Sequence, residues 1–401
     1  MTKTSAPVKT IQAPWPFYGE DECAAVARVL RTGKVNYWTG EECRLFEREF
    51  AQASGCAHAV ALMNGTVALE AALLALEVPP FSEVVTTPRT FVASASAAVA
   101  RGCIPVLADV DRESGNITAA TIAQVLTPNT TAIISVHLAG WPCDMDPIMA
   151  LAERHGLKVI EDCAQANGAT YKGRPVGSIG HAGAFSFCQD KIISTGGEGG
   201  MLTTQAEAVW RRAWEFKDHG KSWDAVYMRE HAPGFRWLHD SFGTNWRMTE
   251  VQAAIGRAQL GKLPEWSRIR RAHMDLLFDS LRGLPALRIP RAPEHLRHAA
   301  YKAYVYVRPE ALRAGWSRDR IMVEIDQAGV PCFSGSCSEI YLEKAFSVRG
   351  YGPAEALAGA RELGETSLMF LIHPTLTRED IEESATRIAK VLTAATRPDA
   401  R

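Results

Sequence analysis

One lysine, Lys191, lies in the stretch FSFCQDKIISTGGEGG (residues 185–200), between an apolar run and four glycines that follow within nine residues. Its neighbours are small or polar: Gln189 and Asp190 before it, Ser194 and Thr195 after it. A lysine on a helix surface keeps company with other charges at helical spacing, and this one does not. Glycines in such density allow a backbone to approach a ligand closely. Taken alone, the stretch reads equally well as a solvated loop lysine.

Three further segments carry residue types suited to a planar, phosphate-bearing ligand. MNGT (63–66) follows an apolar run and opens a helix-like stretch, so Gly65 and Thr66 fall where the free N–H groups of a helix start make an anion cup. A tight turn with Thr66 as N-cap is an equal reading. In EDCAQANGA (161–169), Asp162 ends the run LKVIED and Gln165 follows three residues later, which offers a carboxylate and an amide to one small ring. A lone aspartate there would instead be an N-cap. In PRTFVASA (88–95), Phe91 could stack on a flat heterocycle or fill the core.

Together these parts meet the needs of pyridoxal 5′-phosphate (PLP). The amine of Lys191 can condense with the cofactor's aldehyde. The carboxylate of Asp162 keeps the ring nitrogen protonated, because an adjacent negative charge favours the cationic form. A protonated ring is the electron sink on which the chemistry depends. Ser186, five residues before the lysine, adds a donor for the phosphate.

Positioning these groups requires strand ends. Candidate strands are Ala57–Leu62, Glu83–Thr87, Ile104–Ala108, Thr131–Val136, Leu157–Glu161, Gly183–Phe187 and Met201–Thr204. Helix-like stretches lie between several of them, at Val67–Leu76, Phe91–Arg101 and Ile148–His155. Strand, crossover helix, strand is the signature of a mostly parallel sheet covered on both faces, and the candidate site segments sit at strand ends, where such sheets bind ligands. Residues 224–246 read as a long ordered loop. A helix begins after Thr249, is interrupted at Pro264 and resumes to about Leu281, which gives a kinked pair leading into a smaller α+β region with a strand at Ala303–Val307 and a final helix at Arg378–Ala394.

Composition narrows the class. At 401 residues two domains are the natural division; the boundary expected here separates 1–260, a large cofactor-binding α/β domain, from 261–401, a small α+β domain. A formal net charge of −1 argues against a nucleic-acid partner held by general electrostatics. Nine scattered cysteines with no CxxC pair do not make a disulfide framework, and they fit reduced thiols in the cytoplasm. No metal site is expected. The first 17 residues lack an apolar leader core, and no run is long enough to span a membrane.

The block EDCAQANGATYKGRPVGSIGHAGAFSFCQDKIISTGGEGGML (161–202) resembles the DegT/DnrJ/EryC1/StrS family of PLP-dependent aminotransferases. The resemblance extends to WTG (38–40), NGT (64–66), RTF (89–91) and GTNWRMTEVQAAIG (243–256). It implies a fold-type I transferase with a mostly parallel seven-stranded sheet flanked by helices. It also implies a keto sugar, usually nucleotide-linked, or a keto-cyclitol as acceptor, with glutamate or glutamine as donor. Carried over by position, Lys191 links to the cofactor, Asp162 pairs with the ring nitrogen and Gln165 meets the ring hydroxyl. Phe91 stacks on the ring, while Gly65, Thr66 and Ser186 bind phosphate. Asn245 matches an asparagine that reaches the phosphate of the neighbouring subunit, which implies a homodimer with shared sites; Arg247 supports that loop.

The sequence departs from the common family pattern at 329–346, at His181 and at Arg89, which leaves the acceptor open. A related dehydratase would carry histidine in place of Lys191, and a DNA-binding regulator would need a basic module that the sequence lacks. The basic trio Lys217, His219 and Lys221 could meet a diphosphate or form a solvated turn, and Trp38 could line an entrance or pack at a subunit contact.

Overall fold

The computed structural model describes residues 10–230, 234 and 236–400. Residues 1–9 of the stretch read for a leader, and Pro233 of the expected loop, lie outside the described residues.

Seven strands form one sheet in the spatial order 58–62, 200–204, 182–186, 158–162, 130–136, 83–86, 104–107. Only 200–204 runs antiparallel to the others. Every expected strand is present to within one residue at either end. Successive strand residues point to opposite faces. Val84, Ile134, Ile160 and Ala184 therefore join Trp214 and the Gly65–Ala75 helix in one core cluster, while Val85, Ile133 and Val159 join the Met145–His155 helix in another. Phe185 packs with Phe46, Phe50 and Phe187, its ring centroid 4.9 Å from that of Phe50. Burial of both faces is why these strands read as continuous apolar runs rather than alternating ones.

A second sheet of four antiparallel strands, in the order 287–288, 302–307, 367–371, 332–333, builds a separate core with the Arg318–Gln327 and Arg378–Ala395 helices. A small ribbon of 296–297, 170–171 and 174–175 ties the two regions together. Its strands are two residues long and leave no periodicity in the sequence.

The long helix differs from expectation. It runs without interruption from Glu250 to Leu281 with Pro264 inside it, as one helix and not two. An internal proline removes a donor and costs about 3 kcal/mol or more. Here the helix is clamped along its length: the Glu20–Thr32, Glu42–Ala53 and Arg378–Ala395 helices pack on it, and its Met274, Leu277 and Leu281 enter the second core. Its start has the expected cap. Thr249 Oγ1 accepts from the Gln252 N–H at 3.3 Å, and Gln252 Oε1 accepts from the Thr249 N–H at 3.0 Å. Thr249→Ala is expected to lower stability by about 1 kcal/mol, seen as a lower urea midpoint with cofactor absorbance unchanged.

The 224–246 stretch is not loop throughout. Trp223–Tyr227 is a short helix whose N-cap Ser222 accepts from the Ala225 N–H at 3.3 Å. Among the described residues no helix is long and apolar enough to cross a membrane, and the cysteines are free thiols.

Candidate active site

The loops that leave the carboxyl ends of the parallel strands wall a cavity of about 660 Å³. Gly65, Thr66, Phe91, Asp162, Gln165, Ser186 and Lys191 all line it. These residues come from four different strand ends, so the sheet alone brings them together. Asn245 is not part of this wall: it is exposed, and its backbone pairs with Asp218.

The helix at 65–75 begins at Gly65, and its cap is Asn64 rather than Thr66: Asn64 Oδ1 accepts from the Val67 N–H at 2.9 Å. Gly65 and Thr66 are thus the first two residues of the helix, whose N–H groups have no partner within it. Glycine is required at 65 because a Cβ there would stand 2.6 Å from Ser186 Cβ. The close approach puts the Ser186 hydroxyl beside the helix start.

Phe91 is 69% exposed, which removes the core reading. Its helix begins at Ala93, two residues later than expected. That helix supplies Ser94, whose hydroxyl donates to Asp162 Oδ2 at 2.7 Å.

Asp162 is the last residue of its strand, no helix follows it directly, and it does not act as an N-cap. Its Oδ1 accepts from the Ala164 N–H at 3.1 Å. Burial raises its carboxyl above the ordinary range, against the opposing pull of the Ser94 hydroxyl, the Ala164 N–H, Lys191 and His137. One residue back, Glu161 is buried and held ionised: burial works against it, but His137 Nε2 at 3.0 Å and the loop N–H groups of Ile179 and Gly180, each at 2.7 Å, outweigh that. His137, Glu161 and Cys163 lie close enough to hold a metal ion, yet His137 Nδ1 already accepts from the Cys143 N–H at 3.0 Å. The group braces the strand beneath Asp162. Gln165 Oε1 accepts from the Ala139 N–H at 2.7 Å, so its amide nitrogen is the end left to donate.

Lys191 sits on an irregular loop whose turn is made by Gly196 and Gly197, at φ of 84° and 120°. Its carbonyl accepts from Trp15 Nε1 at 3.0 Å. Its Nζ donates to the Tyr301 hydroxyl at 3.4 Å and lies 3.7 Å from Asp190 Oδ1, and the Tyr301 hydroxyl donates to Asp190 Oδ2. Burial raises the Asp190 carboxyl, but Lys191, Tyr301 and Lys302 together hold it below the usual range. The lysine is therefore not a solvated loop residue.

Sequence reasoning missed Ser94, Tyr301 and Lys302, which also line the cavity. Ser94 sits one helical turn from Phe91, a weak signal. Lys302 opens a strand of the second sheet and Tyr301 immediately precedes it, and no motif announces them. Of the basic trio, His219 is exposed at a turn, but Lys217 and Lys221 are not solvated. Lys217 is fully buried, with Nζ 3.7 Å from the Tyr37 ring centroid; Lys221 Nζ is 2.9 Å from Asp218 Oδ1 and 4.2 Å from the Trp38 ring centroid. Trp38 in turn packs against Trp214, their centroids 6.0 Å apart. Arg247 Nη1 donates to Asp218 Oδ1 at 2.7 Å, which braces the loop that carries Asn245.

These residues fit PLP. Asp162 is a buried carboxyl whose charged form burial disfavours, so a cation on its cavity side answers its electrostatics. Gly65 and Thr66, the first residues of the helix, line the cavity where an anion would meet their N–H groups, and Lys191 offers a primary amine. Such a fold with such a site defines a PLP-dependent enzyme of fold type I.

Comparison with known proteins gives the family. A profile of the DegT/DnrJ/EryC1/StrS aminotransferase family matches residues 16–389. The chain is 34% identical over 395 residues to a UDP-N-acetyl-3-dehydro-α-D-glucosamine 3-aminotransferase of Acidithiobacillus ferrooxidans, covering 97% of this chain and 98% of that protein. It is 34% identical over 374 residues to a spore coat polysaccharide biosynthesis protein of Bacillus subtilis, covering 92% and 93% of the two chains. The crystal structure of an aminotransferase from Psychrobacter cryohalolentis superposes with a TM-score of 0.94 at 56% identity, over 96% of this chain and 99% of that one. The chain belongs to the DegT/DnrJ/EryC1/StrS aminotransferase family, and it is a PLP-dependent aminotransferase.

Proposed function

We propose that this enzyme transfers an amino group from glutamate or glutamine to a keto sugar carried on a nucleotide, in the assembly of a surface polysaccharide or an amino-sugar antibiotic. The observation that carries the reading is the meeting of Lys191, Asp162 and the 65–75 helix start in one cavity, together with relatives named for aminating a nucleotide sugar and for polysaccharide biosynthesis.

When bound, PLP supplies an electron sink for the carbon that bears the transferred nitrogen. Asp162, aligned by Ser94 and the Ala164 N–H, holds the ring nitrogen in its charged form. The first N–H groups of the 65–75 helix and the Ser186 hydroxyl hold the phosphate. Phe91 covers one ring face, and the Gln165 amide nitrogen meets the ring hydroxyl. Lys191 Nζ, freed as a primary amine, would take the proton from the donor α-carbon as base and, as acid, would give it to the carbon on the other side of the transferred nitrogen. The adjacent Asp190 carboxylate, 3.7 Å from that nitrogen, receives the positive charge that appears there.

The molecule works as a homodimer in this reading. Asn245 is exposed and does not line the cavity of its own chain, and its loop is pinned by Asp218 and Arg247, which suits delivery of its amide to the partner's phosphate site. Retention of lysine at 191 favours amino transfer over dehydration.

The reading is tested with enzyme first charged with amino groups by glutamate, freed of donor, and then offered a panel of keto sugars with and without a nucleotide, and keto-cyclitols. Discharge by a nucleotide-linked keto sugar supports it; discharge by a cyclitol alone, or by none, overturns it. A smaller variant probes the phosphate cup. Gly65→Ala forces Ser186 or the helix start to move, since the new Cβ falls 2.6 Å from Ser186 Cβ. PLP affinity is expected to fall about 10- to 100-fold in equilibrium dialysis.

A further inference from the structure

Among the described residues, the cavity wall holds three carboxylates, Asp162, Asp190 and Glu198, and two amines, Lys191 and Lys302. Lys302 opens the 302–307 strand of the second sheet, and together with Tyr304 it also lines a neighbouring cavity of about 580 Å³. Both amines lie by Tyr301, with Nζ atoms 5.1 Å and 4.7 Å from its ring centroid. They also share one carboxylate: Lys191 Nζ is 3.7 Å from Asp190 Oδ1, and Lys302 Nζ is 3.9 Å from Asp190 Oδ2. At that distance Lys302 makes an ion pair without a hydrogen bond, and Tyr301 already donates to the same oxygen. Its charge is thus poorly satisfied, and its side chain is only 15% exposed.

On the reading above, Lys191 is engaged by the cofactor, which leaves Lys302 as the wall's remaining cation. An α-amino acid carries its amine and its carboxylate on one carbon. A donor whose amine reacts beside Lys191 therefore presents its carboxylate within this same small cluster, where the anions already present would repel it and Lys302 would not. A keto sugar has no carboxylate at its reacting carbon. We infer that Lys302 binds the α-carboxylate of the amino-acid donor and so sets donor recognition, with no part in holding the acceptor; the inference rests on the proposed transamination and assigns its donor subsite.

The electrostatics agree. Burial depresses the Lys302 ammonium to about 8, Asp190 pulls the other way, and Arg270 and Lys191 add to the depression. The titratable and charged groups that act on it are Asp190, Tyr301, Lys191, Arg270 and His373. A cation so destabilised gains from an incoming anion, and it fades as pH rises through about 8.

The test compares the PLP-loaded wild type with Lys302→Met and Lys302→Arg. In Lys302→Met the KM for glutamate is expected to rise about 10- to 100-fold, with acceptor KM and cofactor absorbance unchanged. Calorimetric binding of 2-oxoglutarate to the loaded enzyme should weaken by the same factor, and Lys302→Arg should recover most of it. In the wild type that binding should weaken above about pH 8, and in Lys302→Met it should lose this pH dependence. An unchanged glutamate KM and 2-oxoglutarate affinity, or equal losses for donor and acceptor, overturns the Lys302 assignment while transamination itself stands. A wild type that accepts no amino group from any amino acid overturns both.

Discussion

Lys191→Ala is expected to lose about 10⁴-fold or more in turnover and, with it, the visible absorbance of lysine-linked PLP. The expectation combines two losses. General acid–base transfer by a positioned side chain contributes about 10²- to 10⁴-fold, and the lysine also anchors the cofactor covalently. Four decades correspond to about 5 kcal/mol of transition-state stabilisation. No neighbour can substitute: Tyr301 is pushed far above the phenol range by burial and by Asp190, and Lys302 points its charge at the other oxygen of that carboxylate. Folding should survive, because the loop is held through the backbone carbonyl of residue 191 by Trp15 and not through the amine. Rapid-mixing kinetics and an absorbance spectrum check the result; a variant that keeps both turnover and the visible band would remove the lysine from the chemistry.

The second large effect falls on Asp162, where activity and stability should move in opposite directions. Asp162→Asn keeps the shape and the Ser94 contact but deletes the charge that holds the ring nitrogen protonated. Turnover is expected to drop about 10²- to 10³-fold, the scale seen when one electrostatic partner of a developing charge is removed, while PLP stays linked to Lys191. The empty protein should be no less stable than wild type. The Asp162 carboxyl is raised in the folded state by burial, so the fold binds its proton more tightly than the unfolded chain does. Its contribution to stability is therefore lost as pH rises from the ordinary carboxylate range through the raised value, and at neutral pH the ionised group is a burden the amide does not carry. Melting curves of both cofactor-free proteins at pH 7 check this; a clear loss of stability in the variant would mean the carboxylate is held by more than Ser94 and Ala164.

What the sequence disclosed follows from what each group depends on. Strands whose two faces are both covered must be apolar throughout, so their positions show as runs, and the residues that terminate them, Asp162 and Ser186 among them, are placed once the runs are found. Gly65 and Lys191 stand out because their neighbours do not explain them locally. By contrast, Ser94 matters only because helix 93–100 turns it toward Asp162, and Tyr301 and Lys302 matter only because a second sheet folds back over the first. Their roles arise from contacts across 68 residues of chain for Ser94 and across more than a hundred for Tyr301 and Lys302, and no local pattern records such contacts. Lys217 misled for the same reason: an isolated basic residue in a polar stretch reads as solvated, and only the fold closes Tyr37 and Trp214 around it. Pro264 read as a break because local propensity forbids it, and packing on both sides of the 250–281 helix overrides that preference.

The chain ahead of its first helix is an active-site part in disguise. Trp15 is hydrogen-bonded to the main chain of Lys191 across 176 residues of sequence, and its indole packs with Arg270, 4.6 Å from its ring centroid, and stacks with His373 at 5.8 Å. A nick or a bulky fusion close to Trp15 would thus disturb the loop of the reacting nitrogen, although none of the described residues ahead of the first helix lines the cofactor cavity.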